Sequence, residues 1–179
     1  MQIDRPLSPH FRLSELTTSQ TAVRAGPVNE ADPTQLANLT RLCVEHAEPI
    51  RAALGGVPVV ISSGLRTWLV NGLVTQIISV ADIPAVLLGE RPHLAMLCWN
   101  QPSAHRQGLA MDFTAPAFGT PRQIAARLRD AGLPFDQLIY ERGWVHYGIA
   151  AEGAQPRGDV LTAIFKAGEK TRYARGLIG

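Results

Sequence analysis

Two short apolar runs, Gln137–Glu141 and Trp144–Gly148, are separated by only Arg142-Gly143. This spacing constrains the chain more than any other feature. Strands joined by two residues pair antiparallel as a tight hairpin. Glu141 then pairs with Trp144, Tyr140 with Val145 and Ile139 with His146. Side chains alternate between faces, so Glu141, Trp144 and His146 share one face. Glu141 and His146 become diagonal neighbours, about 7–8 Å apart at the backbone. A one-residue change in the turn would send one of them to the opposite face.

Upstream, Asp32-Pro33 reads as a helix start. Aspartate caps free N–H groups, and proline at the first helical position loses no hydrogen bond. Leu36, Leu39, Leu42, Cys43, Ala47, Ile50 and Leu54 follow at roughly helical spacing. Pro49 is expected to kink or divide this helix, and Gly55-Gly56 to end it. Residues 1–31 suggest an extended entry and one short helix. Val57–Ile61 reads as a buried strand, followed by a turn at Ser62–Thr67. The apolar stretch Trp68–Trp99 reads as one or two helices with loops. Thr120-Pro121 opens a further helix that stops at Gly132. Val160–Phe165 reads as a last strand, and the basic tail Lys166–Gly179 as peripheral. This order predicts one α+β domain over residues 1–179, with a small, largely antiparallel sheet flanked by helices.

Composition narrows the function classes. The chain has 179 residues, 46% of them hydrophobic, enough for one core without a metal or disulfide. Lys and Arg (17) nearly balance Asp and Glu (15), which disfavours strong nucleic-acid binding. Two cysteines, Cys43 and Cys98, exclude a disulfide scaffold. Leu73–Leu88 is the nearest approach to a membrane span, and Thr75, Gln76, Ser79, Asp82 and Pro84 interrupt it. The start, MQIDRPLSPHF, has no apolar core behind a basic end, so no secretory signal is expected.

The chemistry concentrates in Ser103-Ala-His105-Arg-Gln-Gly108-Leu-Ala-Met-Asp112, followed about 30 residues later by Trp144-Val-His146. A catalytic zinc takes three protein ligands and keeps one open position. His105, Asp112 and His146 offer two imidazoles and a carboxylate. Zinc would polarise a scissile carbonyl and lower the pKa of its water to about 7. A further carboxylate must carry the proton to the leaving amine, and the hairpin places Glu141 for that task. Taken singly, each histidine more often serves structure than metal; the joint pattern separates these two from His10, His46 and His93, which read as structural or exposed. Serine-hydrolase elbows, phosphate loops and His-Glu-x-x-His helices are missing, which narrows an enzyme reading to metal-assisted hydrolysis.

Ser-x-His-x-x-Gly-x-Ala-x-Asp followed by Trp-x-His resembles the zinc D-alanyl-D-alanine carboxypeptidases. Their wider group includes lysostaphin, the vancomycin-resistance dipeptidases, phage peptidoglycan endopeptidases and the hedgehog signalling domain. The similarity extends to Phe11–Leu16, Ser63–Arg66 and Phe135–Glu141, and so touches most of the chain. It implies a hedgehog-like peptidase fold, one zinc on His105, Asp112 and His146, and hydrolysis of an amide next to a D-amino acid in peptidoglycan stem peptides. It implies that Arg66 stabilises the oxyanion or grips a substrate carboxylate, and that Ser103 lies near the substrate. A compact chain without a signal or wall-binding module looks like a phage endolysin, made in the host cytoplasm and reaching the wall through a separate pore protein.

The sequence departs from those relatives in two places. Gly143 stands where the dipeptidases carry a glutamate, three residues before the last histidine. The stretch Gly72–Pro102 is longer and more apolar than in many of them and reads as an insertion: extra core packing, a lid, a dimer contact or a membrane-facing patch. Carboxypeptidase and endopeptidase readings both stay open. The competing class is a non-catalytic, zinc-containing cell-wall binding module of the same fold.

Overall fold

The hairpin forms with the expected register. In the computed structural model, which describes residues 2–178, Tyr140 pairs with Val145 and Ile139 with His146. The Glu141 N–H donates to the Trp144 carbonyl (3.1 Å) and closes the turn. These strands, β3 (Gln137–Tyr140) and β4 (Val145–Gly148), lie inside a six-stranded sheet. The other strands are β1 (Val60–Ser63), β2 (Ala110–Thr114), β5 (Asp159–Ile164) and β6 (Arg172–Arg175). Their spatial order is β1-β2-β4-β3-β5-β6.

The architecture is α+β, but the sheet is mixed rather than largely antiparallel. β3 and β5 run parallel, with Ile139 beside Leu161; the other neighbours are antiparallel. After β4 the chain passes the start of β3 instead of turning straight back. Gly158 and Asp159 donate backbone N–H groups to Phe135 and Asp136, and the Arg157 guanidinium clamps the Asp136 carboxylate. Two expectations for the strand ends also shift. β1 begins at Val60 rather than Val57, and the basic tail is an edge strand rather than a peripheral segment.

One sheet face carries the core. Met111, Phe113, Leu138, Val145 and Tyr147 alternate onto it and pack with Leu39, Leu42, Ile50, Ile124 and Leu128 from the helices. The first helical stretch comprises α1 (Leu13–Thr17) and α2 (Gln20–Ala25), two short helices where one was expected. Next come α3 (Pro33–Arg41) and α4 (Glu48–Ala53), joined by a π-helical turn, Leu42–Ala47. Asp32 caps α3 as expected: its carboxylate accepts from the Gln35 N–H (2.8 Å), and Gln35 returns the bond. Pro49 neither breaks nor divides this run. The proline lacks an N–H and presses on the preceding turn, and the wider π turn relieves both problems. There Glu48 donates its N–H to the Cys43 carbonyl, five residues back.

The apolar stretch after β1 forms three helices, α5 (Trp68–Val74), α6 (Ile83–Leu87) and α7 (Pro92–Trp99), where one or two were expected. A 3₁₀ turn, Val80–Asp82, precedes α6. They enclose a small apolar cluster of their own: Leu69, Ile78, Ile83, Val86 and Cys98. Gly72 lets α5 approach α7, because a Cβ there would lie 2.4 Å from Cys98 Sγ. Both cysteines are buried free thiols, and burial pushes Cys43 up to about 12. The last helix is α8 (Pro121–Asp130), capped by Thr120. Among the described residues no helix is long and apolar enough to cross a membrane.

Candidate metal centre

The opposite sheet face carries the site. Asp112 on β2 lies directly across from His146 on β4. His105 arrives from a 3₁₀ turn, His105–Gln107, immediately before β2. Helix α3 pins that turn: Gln35 donates to the Arg106 carbonyl (2.7 Å) and Asn38 to the Gln107 carbonyl (2.8 Å). Gly108 ends the turn at φ 69°, and a Cβ there would stand 2.8 Å from the Gln35 carbonyl oxygen. Glycine is required at this place for both conformation and space.

Three ligand atoms converge. His105 Nε2 is 3.1 Å from His146 Nδ1 and 3.2 Å from Asp112 Oδ1; His146 Nδ1 is 2.9 Å from the same Oδ1. All three residues are buried. The protonation pattern decides what belongs between them. His105 Nδ1 lies 2.7 Å from the Gly64 carbonyl, which only accepts, so Nδ1 carries the proton and Nε2 presents a lone pair. Burial further lowers the His105 pKa against the opposing effect of Asp112, which keeps the ring neutral. Burial alone would raise the Asp112 carboxyl; the two imidazoles outweigh it and hold the carboxyl well below the ordinary range. An imidazole lone pair and an ionised carboxylate oxygen 3.2 Å apart repel unless a cation lies between them, a proton on the imidazole or a metal ion. A tetrahedral metal with bonds of 2.0–2.1 Å needs ligand atoms about 3.3 Å apart. The observed spacings are close to that, and the group His105, Asp112 and His146 can hold a metal ion.

Outer contacts fix the ligands. The Gly64–His105 hydrogen bond sets the ring's tautomer and orientation, as supporting contacts do in metal sites. Arg66 donates from Nη2 to Asp112 Oδ2 (2.6 Å) and from Nε to Ser63 Oγ (2.9 Å). It holds the carboxylate oxygen that the histidines leave free. A β-bulge between Ile61 and Ser63 brings Ser63 opposite Asp112. Asn29 secures the loop carrying Arg66, donating to the Thr17 and Leu65 carbonyls and accepting from the Thr67 N–H, each at 2.8 Å.

A cavity of about 610 Å³ opens over the cluster. Glu141, Trp144, Ser103 and Arg66 line it together with the three metal-type ligands. The Glu141 carboxylate has no hydrogen-bond or ion-pair partner among the described residues. Burial, and secondarily the Asp112 charge, raise its pKa against the pull of His146 and Arg66. Arg66 Nη1 and Ser103 Oγ likewise bond to nothing among the described residues. The other histidines stay outside the site. His10 pairs with Glu48 at the surface, His46 packs against Tyr147, and His93 is exposed. Tyr147 belongs to the core, where its hydroxyl donates to the Pro134 carbonyl (2.7 Å).

Two residues of the site carry no distinctive sequence signal. The Asn29 side chain acts through hydrogen bonds to backbone groups far along the chain. Tyr173 lines the cavity from β6, the strand hidden in the tail. No alternation in Arg172-Tyr173-Ala174-Arg175 marks that strand in advance. No family model, no curated protein and no solved structure matches this chain.

Proposed function

We propose that this protein is a zinc metallopeptidase that hydrolyses an amide next to a D-amino acid in peptidoglycan stem peptides, as phage-type endolysins do. One observation carries the reading: a metal-ready His105-Asp112-His146 cluster shares a cavity with an unpartnered carboxylate, Glu141. The motif resemblance to zinc D-Ala-D-Ala carboxypeptidases and the hedgehog-like group supplies the substrate class.

His105 Nε2, Asp112 Oδ1 and His146 Nδ1 would hold the metal. Bound zinc would supply Lewis acidity toward the scissile carbonyl and the attacking water. The chain's own residues do the rest. Glu141, whose carboxyl pKa is pushed by burial above its ordinary value, takes a proton from the water as its oxygen bonds to the carbonyl carbon. It returns that proton to the amine as the C–N bond breaks, and the water's second proton passes from the new carboxyl group to the amine, so the products leave as a carboxylate and an ammonium. Arg66 keeps Asp112 ionised and oriented through Nη2 and turns its free Nη1 to a substrate oxygen. Ser103 offers a hydroxyl on the same wall. The protein is made in the host cytoplasm and acts at the wall after release.

The test is mass spectrometry of peptidoglycan treated with zinc-loaded protein. Chelator-sensitive products that disappear in Glu141→Gln, with metal content unchanged, are expected. Folded, zinc-loaded protein that releases nothing from several wall chemistries would overturn the assignment in favour of a binding module.

A further inference from the structure

The cavity does not end at the ligand cluster. Its wall runs from His146 on β4 over Ile139 on β3 and Leu161 on β5 to Tyr173 on β6. The registers put these side chains on one face: Ile139 stands beside His146 and Leu161, and Tyr173 beside Ala163, two residues along β5 from Leu161. Three strand spacings separate β4 from β6. At about 4.8 Å each they span about 14 Å, the reach of about four extended residues. Tyr173 faces the small Ala163 across the strand pair, which leaves its ring room over the sheet. Burial raises its phenol's pKa, with smaller contributions from the Glu141 and Asp112 charges against the pull of Arg66.

The two ends of the cavity differ. Arg66, the cation suited to a terminal carboxylate, sits on the β1–β2 side. The β3–β5–β6 side presents Ile139, Leu161 and Phe165 with the neutral polar groups of Thr171 and Tyr173. A site that recognised only a terminal dipeptide would not need such a wall. We infer that this wall is a groove for an extended peptide segment of several residues on one side of the scissile bond, and that Tyr173 determines specificity at its far end. The inference rests on the peptidase reading and refines it to a substrate bound along its length.

Calorimetric titration tests it with two probes, the dipeptide D-Ala-D-Ala and a synthetic five-residue stem peptide ending in it. The protein is the zinc-loaded full chain carrying Glu141→Gln, with Tyr173 intact, Tyr173→Phe or Tyr173→Ala. Loss of an aromatic contact corresponds to about ten-fold in affinity. The five-residue peptide is expected to bind more tightly than the dipeptide, and Tyr173→Ala to weaken it about ten-fold while Tyr173→Phe keeps most of the gain. Dipeptide affinity is expected to stay unchanged. Equal weakening of both probes, no effect on either, or no gain with length would overturn the groove. Turnover with Glu141 intact separates the two readings. Length-dependent binding that needs Tyr173 without any hydrolysis overturns the peptidase and upholds the groove. Release of single D-Ala with no dependence on Tyr173 does the reverse.

Discussion

Gly64 is the least conspicuous residue on which the site depends, and Gly64→Ala measures how much the site owes to backbone packing. A Cβ at this position would lie 2.3 Å from the Leu16 carbonyl oxygen, 2.8 Å from Leu16 Cα and 2.9 Å from its carbonyl carbon. All three are backbone atoms, so no side chain can swing aside. The loop must move away from α1 by most of an ångström, straining the Leu65–Leu16 hydrogen bond (2.6 Å). Overpacking costs about 1–3 kcal/mol and a weakened backbone hydrogen bond about 1 kcal/mol. The sum, about 2–4 kcal/mol, corresponds in a chain of this size to a Tm lowered by about 5–15 °C. The same movement drags the Gly64 carbonyl from His105 Nδ1, now 2.7 Å away. Loss of such an orienting contact weakens metal binding about 10–100-fold. Thermal melts in chelator isolate the packing cost, and a zinc competition titration isolates the ligand effect. A variant with wild-type Tm and wild-type zinc affinity would refute the reasoning. A lower Tm with unchanged affinity would show that the carbonyl does not orient His105.

Two further predictions follow from burial and close approach. In metal-free protein, Glu141→Gln is expected to be more stable than wild type at pH 7. The folded pKa of Glu141 is raised, so its ionisation opposes folding; the wild-type penalty is absent below the unfolded value of about 4.3, grows as pH rises from there to the folded pKa and is constant above it. Paired Tm measurements from pH 3 to 8 in chelator check this, and a difference independent of pH would count against it. Gly72→Ala is expected to loosen the Trp68–Trp99 segment, because the added methyl meets the fully buried Cys98. The cost is about 1–3 kcal/mol, with faster limited proteolysis of that segment and unchanged zinc affinity. Adding Cys98→Ala should restore part of the loss, and a double variant no better than Gly72→Ala would show that the contact is not the cause.

Short-range physics alone made the local elements legible in the residues. Arg142-Gly143 fixes the hairpin, so Glu141, Trp144 and His146 line one cavity as the alternation requires. Asp32 and Thr120 start their helices because each caps an N–H three residues ahead. The candidate ligands were legible as residue types, two imidazoles and a carboxylate, in a motif that resembles the zinc D-Ala-D-Ala carboxypeptidases. Tertiary structure decided the rest. β2 slots between β1 and β4, which sets Asp112 against His146 and gives His105 a carbonyl partner 41 residues away. The parallel pairing of β3 with β5 and the addition of β6 bring Tyr173 to a site whose ligands end at residue 146. Such pairings join distant segments, and the surface they bury together against the closure entropy of the chain between them chooses the partner. Neither quantity leaves a periodicity in the local sequence, so the hairpin and caps could be read in advance and the far wall of the cavity could not.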